Sequence, residues 1–301
     1  MANEVLVALD GSEKDGRAVA AALAVADLVN AHVDLVRVIP RVSDRVLNQA
    51  ELVGLNRWQG GDRVEVEQQL ARQATSLTTT AGRRIDWHVL EGASVSRLLV
   101  EAAECPDVQA IVMGTRGPTQ VGLLVGSVAD QVMRESPKAV VLVPPGAADL
   151  AGRPVRFERL LVPLDGSNLA AHSVDFLLSL PRTHALELVM LEVVASPHEV
   201  ATAERRLRDL ADRASSASVS AAQHVIVSDN TAKAITGAVR ELFVDMIAMS
   251  TRGLGGLRRL VLGSVAQSVV RAAETPILLL TPAMLAAAVL TPSKSALETA
   301  R

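Results

Sequence analysis

The 301-residue chain has no tyrosine, three phenylalanines and two tryptophans. So few rings cannot build the stacked aromatic platform that single-stranded nucleic acid uses. Cys105 is the sole cysteine, which excludes an intramolecular disulfide and a Cys-rich metal site and fits a reducing compartment. An excess of positive charge is missing too. The net charge of −3 argues against nucleic acid or an anionic membrane as the main partner. There is also no long apolar run. Residues 277–290 are the most apolar stretch, at 14 residues, and Thr281-Pro282 interrupts them. A membrane span needs about 20 apolar residues. Met1 leads almost directly into the apolar residues 5–9 with no basic region or cleavage site, so the expectation is a soluble cytoplasmic protein.

What is present is ordinary globular composition, 49% hydrophobic and 21% charged, in a length that suits two domains. The chain repeats itself. EVLVALDGS at residues 4–12 returns as RLLVPLDGS at 159–167, and LVRV at 35–38 returns as MLEV at 190–193, both 155 residues later. His88-Val89 and Thr115-Arg116-Gly117 return 136 residues later, and GSVA at 126–129 returns 137 later. Five blocks in one order define a tandem duplication. The second copy lacks 19 residues between its second and third strands and gains one in a Gly-rich loop. Residues 144–154, with three Pro and two Gly, read as a linker. The domains expected are 1–145 and 156–282, followed by a tail, 283–301. Residues 1–150 hold 14 basic against 19 acidic side chains, and the remainder 16 against 14, so the halves carry −5 and +2.

Within the first copy, uninterrupted apolar runs at 5–9, 33–39, 85–90, 108–113 and 140–143 predict strands buried on both faces. Helical patterns lie between them at 13–29, 62–78, 94–103 and 127–134. The alternation predicts an α/β protein of two tandem, doubly wound, parallel five-stranded sheets. Residues 41–60 fit neither element and are expected to form a long loop. Strands 140–143 and 277–280 close their copies, and such apolar edges invite pairing. The 16 residues from Val143 to Arg159 can reach about 53–58 Å when extended. A pseudo-twofold pair of domains joined through the last strands is therefore expected, with a homodimer as a further option.

Two motifs carry chemistry. In the second copy Met249-Ser250-Thr251-Arg252-Gly253 follows an apolar run, and nine residues later Gly263-Ser264 opens a helix. A Gly-rich turn between a parallel strand and a helix presents unpaired backbone N–H groups and a helix dipole to a phosphate. Ser264 can add a donor, and Arg258 and Arg259 can neutralise charge. The same glycines also serve as simple turns, with the arginines in solvent, and spacing alone leaves both readings open. The second motif is Asp10-Gly11-Ser12 with its twin Asp165-Gly166-Ser167. Each Asp ends a first strand, where ligands of doubly wound sheets sit. It suits a ribose hydroxyl or a phosphate-bound metal, and equally a turn or N-cap.

Both copies resemble universal stress protein domains, which have the adenine nucleotide alpha hydrolase-like fold, over residues 1–145 and 156–282. The resemblance implies ATP binding and a regulatory or adaptor role in stress response, with slow or no hydrolysis. The alternatives are a nucleotide-free structural adaptor and a weak ATPase. ATP-binding members carry Gly, two residues, Gly, nine residues, then Gly and Ser or Thr. They also carry the first-strand Asp and a second-strand valine whose backbone meets adenine. The resemblance places Asp165, Val193, Ser250, Gly253, Gly263, Ser264 and Val265 on binding positions in the second copy. In the first it places Asp10, Val38, Gly114, Gly117, Gly126 and Ser127. No catalytic or metal-ligating residue is implied, and Mg²⁺ or Mn²⁺ would be held through phosphates. Each copy departs once from the pattern: Ser250 replaces a glycine, and the first copy has eight residues, 118–125, before Gly126. The second copy is therefore expected to be the better site.

Other chemistries are not indicated. The P-loop, the dinucleotide fingerprint and the Gly-x-Ser-x-Gly elbow are all missing. The six histidines show no ligand spacing; His88 and His224, at equivalent positions, read as packing or surface residues. Cys105, before Pro106, reads as a small hydrophobe near a helix end.

Overall fold

The structure is a computed structural model that describes residues 3–12, 14–40, 63–115, 125–147, 150, 155–251, 262–281 and 284. Strands form where the apolar runs predict them. The first half contains β1 (Glu4–Leu9), β2 (His32–Pro40), β3 (Ile85–Gly92), β4 (Val108–Gly114) and β5 (Ala139–Val143). The second contains β6 (Arg159–Leu164), β7 (Glu187–Val194), β8 (Ser220–Val227), β9 (Met246–Ser250) and β10 (Ile277–Leu280). Helices return the chain between strands. They are α1 (Asp15–Val29), α2 (Arg63–Ala81), α3 (Val95–Ala103) and α4 (Ser127–Glu135), then α5 (Asn168–Leu178), α6 (Val200–Ser216), α7 (Thr231–Glu241) and α8 (Ser264–Ala272). The expected loop at 41–60 and, apart from Met284, the expected tail 283–301 lie outside the described residues.

The ten strands make one sheet in the order β3-β2-β1-β4-β5-β10-β9-β6-β7-β8. Each five-stranded half is parallel and has the same internal order. The halves meet where β5 and β10 pair antiparallel, Val140 opposite Leu279, Val141 opposite Leu278 and Leu142 opposite Ile277. All three residues of β10 in this register, and all three of β5, are buried. The outer strands β3 and β8 carry Asp86, His88 and Glu91, and Ser220, Gln223 and His224, polar groups that discourage further pairing.

The core is organised by sheet face rather than by half. One apolar cluster joins α1, α2, α5 and α6 to one face, and a second joins α3, α4, α7 and α8 to the other, both running across the seam. This follows from the period of two along a strand: Leu6 and Val36 point to one face while Val5, Val7 and Leu35 point to the other. At the seam, Val25, Leu28 and Val29 of α1 and Phe176 of α5 line a void of only about 10 Å³. A backbone hydrogen bond from Thr183 N–H to the Asp27 carbonyl (3.0 Å) also ties the halves together. Alanine-rich α1 packs nine buried residues this way and ends at Asn30, whose φ of 46° asparagine tolerates.

One polar cluster belongs to the first half alone. Asp34 of β2 is 4% exposed, and His88 Nδ1 lies 2.8 and 2.9 Å from its two oxygens. Glu4 lies beside Asp34, and His32 Nε2 stands 3.7 Å from Glu4 and 3.4 Å from Asp86. Burial, then the charge of Asp34, pushes the Glu4 carboxyl up to about 7. In the second half the corresponding pair is Arg159 and Glu187, with Nη1 to Oε2 at 2.8 Å. His88 thus satisfies a buried carboxylate. Cys105, read from sequence as a small hydrophobe, is exposed in the turn after α3, because α3 ends at Ala103 and the chain leaves the core there.

Candidate functional site

At the carboxyl ends of the parallel strands each half has a mouth built from two turns. The first turn is Asp-Gly-Ser. Gly11 has φ +81° and Gly166 φ +76°, a conformation that side chains with a β-carbon resist, so both copies place glycine there. The Asp carboxylate folds over it: Asp10 Oδ1 accepts the Ser12 N–H at 2.9 Å, and Asp165 Oδ1 accepts the Ser167 N–H at 3.0 Å. Both Asp residues are exposed at the mouth. They do turn chemistry and still present a carboxylate edge to the crevice.

The second turn leaves β4 or β9 and enters α4 or α8. Thr115 and Thr251, both buried, bond through N–H to Val143 and Leu280 and accept the N–H of Gly126 (2.7 Å) and Gly263 (2.8 Å). The loop between them is thereby pinched at its base, and the helix begins immediately. Gly126 and Gly263 are N-caps with φ −69° and −61°, and neither helix has a side-chain cap. Their first N–H groups are left to an incoming acceptor. Ser127 and Ser264 stand exposed at these helix starts, as does Val265 at 37% exposure. Ser250 and Gly114 end their strands, and neither is among the residues with positive φ, so serine costs no backbone strain at 250. Val38 is buried, and Val193 is half-buried against the same sheet face. The remaining expected contacts, Gly117, Gly253, Arg258 and Arg259, lie outside the described residues.

The two mouths differ in charge. Gly11 is covered by the guanidinium of Arg37, which reaches Gln69 of α2 at 3.4 Å. Gly166 is covered by Arg206 of α6, which is paired with Glu192 of β7. Residue 192 is the repeat partner of residue 37, so the same lid over glycine is built from opposite elements. Glu192 is 3% exposed, and its hydrogen bonds hold the Arg206 guanidinium above the usual range. In the first mouth Asp15 Oδ1 accepts the Asp10 N–H (3.1 Å), and its Oδ2 accepts the Gly11 N–H (2.8 Å). Burial, then the charge of Asp10, pushes the Asp15 carboxyl up to about 7. The first turn of α4 adds Asp130, paired with Arg134, where α8 has Gln267.

Comparison with known proteins decides the family. The profile of the Universal stress protein family matches twice, over residues 1–144 and 156–281. The chain belongs to the universal stress protein family. A universal stress protein from Archaeoglobus fulgidus DSM 4304 shares the fold over 93% of this chain and 99% of its own, with TM-score 0.69 and 21% identity. A functionally unknown protein from Pseudomonas aeruginosa PAO1 aligns over 95% of both chains, with TM-score 0.61 and 17% identity. No curated protein matches. As a universal stress protein of two tandem domains, the molecule is a stress-response protein. No helix among the described residues is long and apolar enough to cross a membrane.

Sequence reasoning missed three residues of this universal stress protein's mouths. Asp15 reads as an ordinary first-turn helix acid. Arg206 reads as a solvated residue of a charged helix. Glu192 had a signal, a lone charge inside the apolar run of β7.

Proposed function

We propose that the second domain binds ATP, with the phosphates at the start of α8, the ribose near Asp165 and the adenine against the Val193 backbone. The bound nucleotide biases a conformation that protein partners read, with hydrolysis slow or absent. The bare start of α8 carries this reading. It has a glycine N-cap, no side-chain cap and no acid in its first turn, so its N–H groups and positive dipole end favour a phosphate. Mg²⁺ or Mn²⁺ accompanies the phosphates in this reading.

Native mass spectrometry of the purified chain, followed by calorimetric titration with ATP and Mg²⁺, tests it. Gly263→Val is the informative variant. Its backbone angles, φ −61° and ψ 152°, are ones valine accepts, so the fold persists while a branched side chain stands where phosphate approaches. Binding should be lost. Unchanged affinity removes the phosphates from α8. A wild-type chain that neither carries nor takes up nucleotide supports a nucleotide-free adaptor, and rapid turnover at saturating enzyme supports an ATPase.

A further inference from the structure

We propose that Asp15 makes the two mouths unequal: its carboxylate occupies the turn N–H groups of Asp10 and Gly11 and shuts the first domain to an anionic nucleotide, while Ala170 leaves the second mouth receptive. This rests on the nucleotide reading above and assigns the residue that restricts binding to one domain.

Three observations converge on it. Asp15 and Ala170 are repeat partners, 155 residues apart like the strands that precede them. In the first mouth both turn donors are satisfied internally, at 3.1 and 2.8 Å. In the second, the Gly166 N–H makes no hydrogen bond among the described residues, and Ser167 Oγ instead caps α5 through the Ala170 N–H at 3.1 Å. The donor that one domain consumes, the other leaves open.

Charge points the same way. Asp10 and Asp15 set two carboxyls side by side at the first mouth, where burial first and the charge of Asp10 second raise the Asp15 carboxyl, so the place is poor in water and already holds a negative neighbour. The nearby cations do not offset it. Arg17 is turned to the Pro145 carbonyl, Arg37 lies over Gly11 against Gln69, and Lys14 is exposed. A polyphosphate entering this mouth meets occupied donors and a carboxyl pair. At the second it meets an open N–H and Asp165 without an acid at position 170.

Calorimetric titration of the full chain with ATP and Mg²⁺ tests the proposal through its stoichiometry. Wild type should take one nucleotide per chain. Asp15→Ala should gain a second site, and Asp15→Asn, which keeps one oxygen to accept a turn N–H but drops the charge, should gain a weaker one. The converse change, Ala170→Asp, should weaken the existing site about tenfold or more, the scale of one added carboxylate at short range. A stoichiometry of one in both Asp15 variants overturns the proposal, as do two equal tight sites in wild type, and both results leave the nucleotide reading standing. A wild-type chain that binds none removes that reading and this inference with it.

Discussion

Replacing Leu279 with alanine should destabilise both halves of the molecule at once. Leu279 is fully buried in β10, opposite Val140 of β5 on one side and Met249 of β9 on the other. Truncating such a leucine costs about 2–5 kcal/mol through lost burial and the cavity left behind. For an intermediate cost of about 3 kcal/mol and a urea dependence of about 3 kcal/mol/M, at the high end for small domains, the midpoint falls by about 1 M. The assay exploits an asymmetry: both tryptophans, Trp58 and Trp87, belong to the first copy, whereas the substitution lies in the second. Because each apolar cluster crosses the β5–β10 seam, tryptophan fluorescence and far-UV circular dichroism should lose structure together at the lowered midpoint. A fluorescence midpoint that stays at the wild-type value, with a separate earlier transition in circular dichroism, would refute the shared core and describe two domains that merely touch.

Glu4→Gln should shift stability in a pH-dependent way. The Glu4 carboxyl titrates near 7 in the fold against an ordinary value of 4.5, so the folded state prefers it protonated. Its stabilising form is complete below about pH 4.5 and is lost as pH rises through 7. The variant should therefore unfold at higher urea than wild type at pH 8 and match it near pH 4, and equal effects at both values would sink this account. Arg206→Ala strands the buried Glu192 and should cost about 2–3 kcal/mol, below the value for a fully enclosed pair because the Arg206 side chain is 41% exposed. The double variant with Glu192→Leu should recover much of the loss in the same denaturation experiment. Gly166→Ala forces a β-carbon into φ +76° and to 3.1 Å from Arg206 Nε, and a loss of about 1–2 kcal/mol in thermal unfolding is expected. No measurable change would mean the turn can flip to another conformation.

Much of this architecture is legible from residues alone, because the signals are local. Runs such as IVM in β4 and VVLV in β5 announce buried strands, and the alternation with helices implies the parallel winding. The duplication emerges from repeated blocks, and Gly11 and Gly166 recur because their φ values exclude other side chains at low cost. Ser250 stands where the motif has glycine, and the backbone there is ordinary. Only coordinates give φ, so the motif by itself could not separate a conformational glycine from a replaceable one.

Tertiary structure decided what local pattern cannot encode. A carboxylate at position 15 carries the same helix-start signature whether it caps its own helix or turns back onto the Asp10 and Gly11 N–H groups. The path of the chain between β1 and α1 settles that it turns back. Arg37 and Arg206 come from a strand and a helix and cover equivalent glycines, a correspondence invisible in the repeat because it swaps elements. Glu4 and Asp34 look like surface acids in their own strands. Lateral pairing of β1, β2 and β3 buries them together and sets one beside the other. Periodicity specifies which face a side chain takes along its own strand, whereas burial and charge depend on neighbours brought in from distant sequence. The elements and their order were therefore written in the residues, and the inequality of the two mouths came from the packing.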